Sequence, residues 1–274
     1  MKKTSALGVT VWIVLIVLGI FTLFPLYMAV INSLKSQGDM FKSVLSFPLH
    51  PTLENYREAL TKMDLLKSFF NTLIITAIGL CGIIVFSSMA GYKLSRTSSK
   101  LSGFIFLIFV SSILVPFHTI MITLMKVSGA LHIQGKSVGL GLIYIGLGVN
   151  MAVFLYHGFV KSIPVQLDES ATVDGCGQLQ LFFKIIFPLL TPITATIAIL
   201  DILWFWNDFM LPMLMLDSNN YTLVLSSYMF FDKYNTEWSN VLASLVITTL
   251  PVIVFYFLFQ KYIIEGITAG AVKG

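Results

Sequence analysis

An all-α integral membrane protein crossing the bilayer six times is the fold class this sequence predicts, on three observations. Of its 274 residues, 57% are hydrophobic and only 11% charged, where a soluble domain carries about 25% charged residues. The apolar residues gather in runs long enough to span hydrocarbon, which takes about 20 residues of helix. None of these runs shows the polar and apolar alternation of a barrel strand, and backbone groups in lipid must then be satisfied within a helix. With so little charge to form a water-facing shell, much of the outer surface faces lipid.

Within a single domain of residues 1–274, spans are expected at about 9–31, 69–89, 101–124, 138–160, 189–216 and 241–262. Lys2 and Lys3 before the first apolar run imitate a signal peptide. The run from Leu7 to Ile31 is too long for one, however, and no small-x-small cleavage site appears before Asn32, so it reads as a retained first span. The loop from Asn32 to Ser68, with Pro48, Pro51 and a helix-like Leu53 to Leu60, forms a small external cap. Pro25, Pro116, Pro192, Pro212 and Pro251 lie in or beside spans and are expected to kink them. Basic residues are nearly balanced between the two sides, but Lys93, Arg96 and Lys100 crowd one short connection free of acids. That density puts this connection, and both termini, in the cytoplasm.

The net charge of +4 comes from short clusters between apolar runs. Such clusters are bilayer-flanking anchors, not the continuous stripe that nucleic acid needs. Two cysteines, Cys81 in an apolar run and Cys176 in a polar loop, make no disulfide framework.

The connection at 161–188 holds the most polar information. Ser162 can cap a helix that Pro164 begins, Asp168 and Glu169 follow on it, and Gly175 supplies a left-handed stop before a second helix from about Gln178 into Pro188. The resulting elbow offers a small apolar face, Val165 and Ala171, beside charges, the shape of a segment that docks in a groove of a soluble partner. On physical grounds alone, a solvated loop is the reading to prefer.

Glu169-Ser170-Ala171, three residues, Gly175, nine residues, then Ile185-Ile186-Phe187-Pro188 resembles the EAA loop of importer permeases of the ATP-binding cassette (ABC) class. Ser170 for Ala and Phe187 for Leu are the departures. Asn32-Ser33-Leu34-Lys35, Trp206-Asn207-Asp208-Phe209 with Leu211-Pro212, and the tail from Gln260-Lys261-Tyr262 through Gly266 to Gly274 extend the likeness. They narrow it to the carbohydrate-importer branch, similar to the smaller, six-span partner of the maltose permease pair. The resemblance implies a type I importer fold in a bacterial-type plasma membrane, moving a sugar or oligosaccharide inward. Its implied partners are a second homologous permease, two ABC ATPase subunits that hydrolyse the ATP, and an external solute-binding protein. Glu169, Ser170, Ala171, Asp174, Gly175, Ile185 and Pro188 would then couple to the ATPase. Another small solute, and more distantly a secondary transporter, are the alternatives.

No cofactor, metal site or catalytic group is expected in this chain. Gly135-Lys136-Ser137 lacks the earlier glycine of a phosphate-binding loop, because position 130 is Ala130. His50, His118, His132 and His157 lack ligand spacing; His118 and His157 read as interhelical hydrogen-bond partners. The glycines between Gly135 and Gly148 suit close helix packing. Asp201 and Asp208, by contrast, are intramembrane carboxylates, which normally face an interior or a watery path. As one helix, 201–208 would put Asp201, Trp204, Phe205 and Asp208 on a single face, with carboxylates for hydroxyls and an indole for a pyranose ring. The alternative is that Asp208 and Asn207 tie this helix to a neighbour.

Overall fold

The computed structural model describes residues 6–231 and 236–271, with side chains described only for 8–231 and 236–260. The tail motif from Lys261 onward therefore lies outside the described side chains, and Lys2, Lys3, Lys233 and Lys273 lie outside the described residues. In chain order the helices are α1 (Ala6–Ser33), α2 (Gln37–Lys42), α3 (Glu54–Lys62), α4 (Leu65–Arg96), α5 (Lys100–Ile113), α6 (Phe117–Ala130), α7 (Ser137–Val160), α8 (Gln166–Val173), α9 (Gln178–Leu189, with a π-helical stretch at Phe182–Ile186), α10 (Thr191–Asn207), α11 (Met210–Met215), α12 (Leu223–Ser227) and α13 (Trp238–Ala271). No strand occurs among the described residues. Four of these helices, α1, α4, α7 and α13, are each long and apolar enough to cross a membrane; counting the bent pairs α5–α6 and α9–α10 as one span each gives six. The chain is an all-α, multi-pass membrane protein.

Two compact units divide the chain, one of residues up to 65 with 226–251, the other of 66–225 with the residues from 252 onward. In the first unit the most apolar stretch of α1 has no buried residue, and Trp12, Ile20 and Phe21 project outward, as a helix solvated by lipid requires. Beyond α1 the chain is tied by a buried cation: Lys35, only 2% exposed, donates from Nζ to Asn32 Oδ1 (3.0 Å) and to the Ser43 carbonyl (2.9 Å). Asn32 Nδ2 donates in turn to the Met28 and Val44 carbonyls, and Asn55 Nδ2 to the carbonyls of Ser33 and Lys35. A charge so enclosed is tolerable only because acceptors meet it. The Asn32-Ser33-Leu34-Lys35 stretch is thus a structural latch for the cap, and α3 is held by Asn240 Nδ2 donating to Glu58 Oε2 at 2.6 Å. Lys35→Met leaves those acceptors unmet and is expected to cost about 1–3 kcal/mol, seen as a lower thermal-aggregation midpoint of the purified chain.

In the second unit α4 and α7 pack closely because small residues face large ones. A methyl group added at Gly141 would lie 2.8 Å from Ile78, and one at Gly91 would lie 2.6 Å from Tyr156 Cβ and 3.0 Å from the His157 backbone nitrogen. The segment 101–124, expected as one helix, is two. Pro116 has no N–H and disfavours helical backbone at the residue before it, so α5 stops at Ile113 and α6 leaves at 105°. At the other expected span, 189–216, α9 meets α10 at 74° and α10 ends at Asn207. His157 makes its interhelical contact by stacking on Phe106, ring centroids 3.8 Å apart, not by the expected hydrogen bond. Gly135-Lys136-Ser137 forms the turn into α7, with Gly135 at φ +79° donating its N–H to the Met215 carbonyl.

Candidate functional site

The elbow is built at the end of the second unit where α4 and α7 stop. Its first helix, α8, begins without the side-chain cap expected of Ser162, whose hydroxyl donates instead to the Phe159 carbonyl. Asp168 and Glu169 occupy the first turn, where exposed amides favour acids. The helix ends on Gly175, at φ +82°: the Cys176 N–H donates to the Ala171 carbonyl and the Gly175 N–H to the Thr172 carbonyl, the paired bonds of a Schellman stop.

One expectation for this helix is corrected. Ala171 does not offer an apolar face to a partner. It is 4% exposed and packs inward with Val160, Ile163, Leu181, Phe182 and Ile186, because a helix of two turns on a bundle end must bury its smallest apolar residue to sit flat. Outward face Glu169, Ser170 and Asp174, while Ile185 is half-buried and Pro188 exposed. Bare apolar side chains accompany them, with Val173 87% exposed and Leu167, Leu179 and Phe183 also exposed.

A clamp that sequence reasoning did not pair holds the elbow in place. Arg96, in the last turn of α4, meets Asp168 Oδ2 at 2.9 Å, donates from Nη2 to the Ile163 carbonyl (3.0 Å) and from Nη1 to the Val160 carbonyl (3.4 Å). Tyr92, one turn earlier, donates its hydroxyl to Asp168 Oδ1. The Arg96 and Asp168 side chains are 15% and 14% exposed. A planar guanidinium bridging α4, the end of α7 and α8 fixes the elbow to two spans at once. The only advance signal was an arginine closing a span and an acid opening a short helix.

The second constellation is a cavity of about 660 Å³ in the same unit, with Ser112, His118, Asn150, Met151, Trp204 and Asp208 among its walls. Here the sequence expectation of one helical face fails. Because α10 ends at Asn207, Asp208 adopts extended backbone and its Oδ1 accepts the N–H groups of Met210 (3.0 Å) and Leu211 (3.4 Å), starting α11. Its Oδ2 accepts from the Tyr144 hydroxyl on α7 at 2.8 Å. Asp208 therefore both borders the cavity and ties α10 to α7, whereas among the described residues Asn207 bonds within its own helix, to the Leu203 carbonyl. Trp204 is 40% exposed and rests edge-on against Tyr144. Asp201 is not among the cavity's walls; its Oδ2 is buried without a hydrogen-bond partner among the described residues.

An all-helical unit with a clamped polar elbow and a polar-edged cavity between its helices suits a transport subunit, and comparison with known proteins agrees. Residues 83–268 match the family model of the binding-protein-dependent transport system inner membrane component. The chain belongs to this family of ABC-transporter permease subunits, which are not themselves enzymes but work in a membrane-embedded complex with other ABC components. It is 42% identical over 259 residues to the probable starch degradation products transport system permease protein AmyC of Thermoanaerobacterium thermosulfurigenes, covering 94% of each chain. It is 36% identical to the multiple sugar-binding transport system permease protein MsmG of Streptococcus mutans (96% of each) and 36% to the melibiose/raffinose/stachyose import permease protein MelC of Bacillus subtilis (91% of each). Its fold matches a chain of a bacterial ABC transporter involved in the import of the acidic polysaccharide alginate, with TM-score 0.81 at 20% identity, covering 96% of this chain and 98% of that one.

Proposed function

We propose that this permease conducts a sugar or oligosaccharide into the cytoplasm, with both termini and the elbow on the cytoplasmic side and residues 1–274 acting as one transmembrane domain. A second, homologous permease completes the pathway, an external binding protein delivers the solute, and two ATPase subunits receive the elbow. This chain itself holds no cofactor. The observation that carries the reading is the elbow: polar Glu169, Ser170 and Asp174, exposed Val173 and a glycine stop stand on a helix clamped to two spans. Such stiffness is what transmission of ATPase closure needs, because ATP can favour one permease state only through a contact that differs between states. Half-buried Ile185 and exposed Pro188 follow on α9 and belong to the same coupling segment.

Sugar as the solute is supported by the names of the relatives above and by the cavity's chemistry. Trp204 offers an indole face for a pyranose, and Asn150, Ser112 and His118 offer hydrogen-bonding groups. Asp208 keeps about one acceptor site to spare beyond its three donors. Asp201 stays outside this role. Reconstituted in vesicles with its partner subunits and binding protein, the complex should take up labelled glucose- or galactose-containing oligosaccharides only when ATP is present. Uptake of amino acids or peptides but no oligosaccharide would instead establish another small solute. With Cys81 and Cys176 replaced, cysteine at Trp204 or Asn150 should react with a water-soluble thiol reagent, and sugar should slow the reaction. Cysteine at Asp201 should stay unreactive in the state described above. Equal labelling at all three would reject this cavity as the path.

A further inference from the structure

A shallow cleft of about 590 Å³ opens at the elbow end of the second unit, where α4 stops, α5 starts and α7 stops. Lys100 and Lys161 line it, together with the hydroxyls of Thr97 and Ser98, and no Asp or Glu does. Neither lysine makes an ion pair among the described residues, and the Thr97 and Ser98 hydroxyls make no hydrogen bond there. The neighbouring cation that could be neutralised within the protein, Arg96, is occupied by Asp168. Toward the membrane the wall changes character: Phe106 stacked on His157, with Gly103 and Leu94, makes an apolar floor.

We propose that this cleft binds the phosphate of an anionic phospholipid. Two unpaired ammonium groups and two free hydroxyls suit a phosphodiester that accepts hydrogen bonds and carries one negative charge. The apolar floor suits the start of an acyl chain, and the position at the ends of three membrane-embedded helices is headgroup depth. A soluble anion would use the charges but not the floor, and a neutral lipid would use the floor but leave the lysines uncompensated. By pinning the start of α5 to the ends of α4 and α7, the lipid would brace the frame on which the elbow is clamped. This assignment is independent of which solute is carried.

The test uses the full-length chain in its assembled complex, purified in mild detergent, with bound lipid read by native mass spectrometry. Phosphatidylglycerol should remain bound one per chain in preference to phosphatidylcholine, and excess inorganic phosphate should not displace it. The double variant Lys100→Gln, Lys161→Gln should weaken phosphatidylglycerol binding about thirtyfold. Arginine at both positions should restore it, and Lys93→Gln, an exposed lysine that does not line the cleft, should leave it unchanged. Undiminished binding in the double variant would overturn the proposal, as would equal retention of phosphatidylcholine. Displacement by inorganic phosphate would make the cleft a free-anion site. Absence of phosphatidylglycerol from the assembled complex would likewise overturn it.

Discussion

Valine at position 175 is expected to abolish transport while leaving the chain in the membrane. Gly175 ends α8 at φ +82°, a region that a β-branched residue enters only with strain, which costs on the order of 1–3 kcal/mol. The bundle need not absorb that strain, because the elbow can relax by losing the paired bonds from Cys176 and Gly175 that stop the helix. Relaxation would redirect the outward face carrying Glu169 and Asp174. The space around Gly175 separates the backbone effect from a packing effect: a methyl group added there meets no atom of this chain within 4 Å. Gly175→Asn, which tolerates left-handed backbone, should therefore retain transport if backbone geometry alone matters. If Asn also fails, with normal membrane levels, a partner surface packs against that glycine. ATP-dependent uptake and immunoblot of the membrane fraction decide among these outcomes. Wild-type uptake by the valine variant would remove the coupling role from Gly175.

What the sequence made legible was what depends on local pattern. Apolar runs of spanning length identify α1, α4, α7 and α13, and the spacing from Glu169 through Gly175 to Pro188 marks the elbow, with its left-handed glycine. Interruptions were only half legible. Pro116 and Pro192 announced kinks, but whether a proline bends a span gently or turns it by 105° depends on what the second half packs against. Asp208 was misplaced because Trp206-Asn207-Asp208-Phe209 carries no glycine or proline to stop a helix. The stop comes from an aspartate that bonds better to the amides of Met210 and Leu211 and to the Tyr144 hydroxyl than it would as one more helical residue. Ala171 was turned the wrong way for a related reason: on a two-turn helix, sequence shows that a small apolar face exists but not which neighbour claims it. The partnership of Arg96 with Asp168 joins a span's last turn to a later loop, and no periodicity within either segment records it.

That partnership yields the other large expected effect. Arg96→Gln should lower ATP-dependent uptake by about tenfold or more, equivalent to about 1.4 kcal/mol or more lost from the coupled state. The substitution removes the ion pair with Asp168 and weakens the bonds to the Val160 and Ile163 carbonyls, leaving a carboxylate that is 14% exposed with Tyr92 as its remaining described side-chain donor. Breaking a mostly buried pair from one side typically costs about 3–5 kcal/mol, more than exchanging both partners. Asp168→Asn should be milder, because the amide oxygen can still accept from Tyr92 and from Arg96. The double variant should then be less impaired than the sum of the two, with an interaction energy of about 0.5–3 kcal/mol, since neither orphaned charge remains. A loss of structure alone would lower the amount of complex recovered in proportion to uptake. A loss of coupling would leave the complex assembled, with ATP hydrolysis no longer stimulated by the loaded binding protein. Additive single effects, or unstimulated and stimulated hydrolysis both at wild-type levels in Arg96→Gln, would show that the elbow is positioned by its buried Ala171 face and not by the clamp.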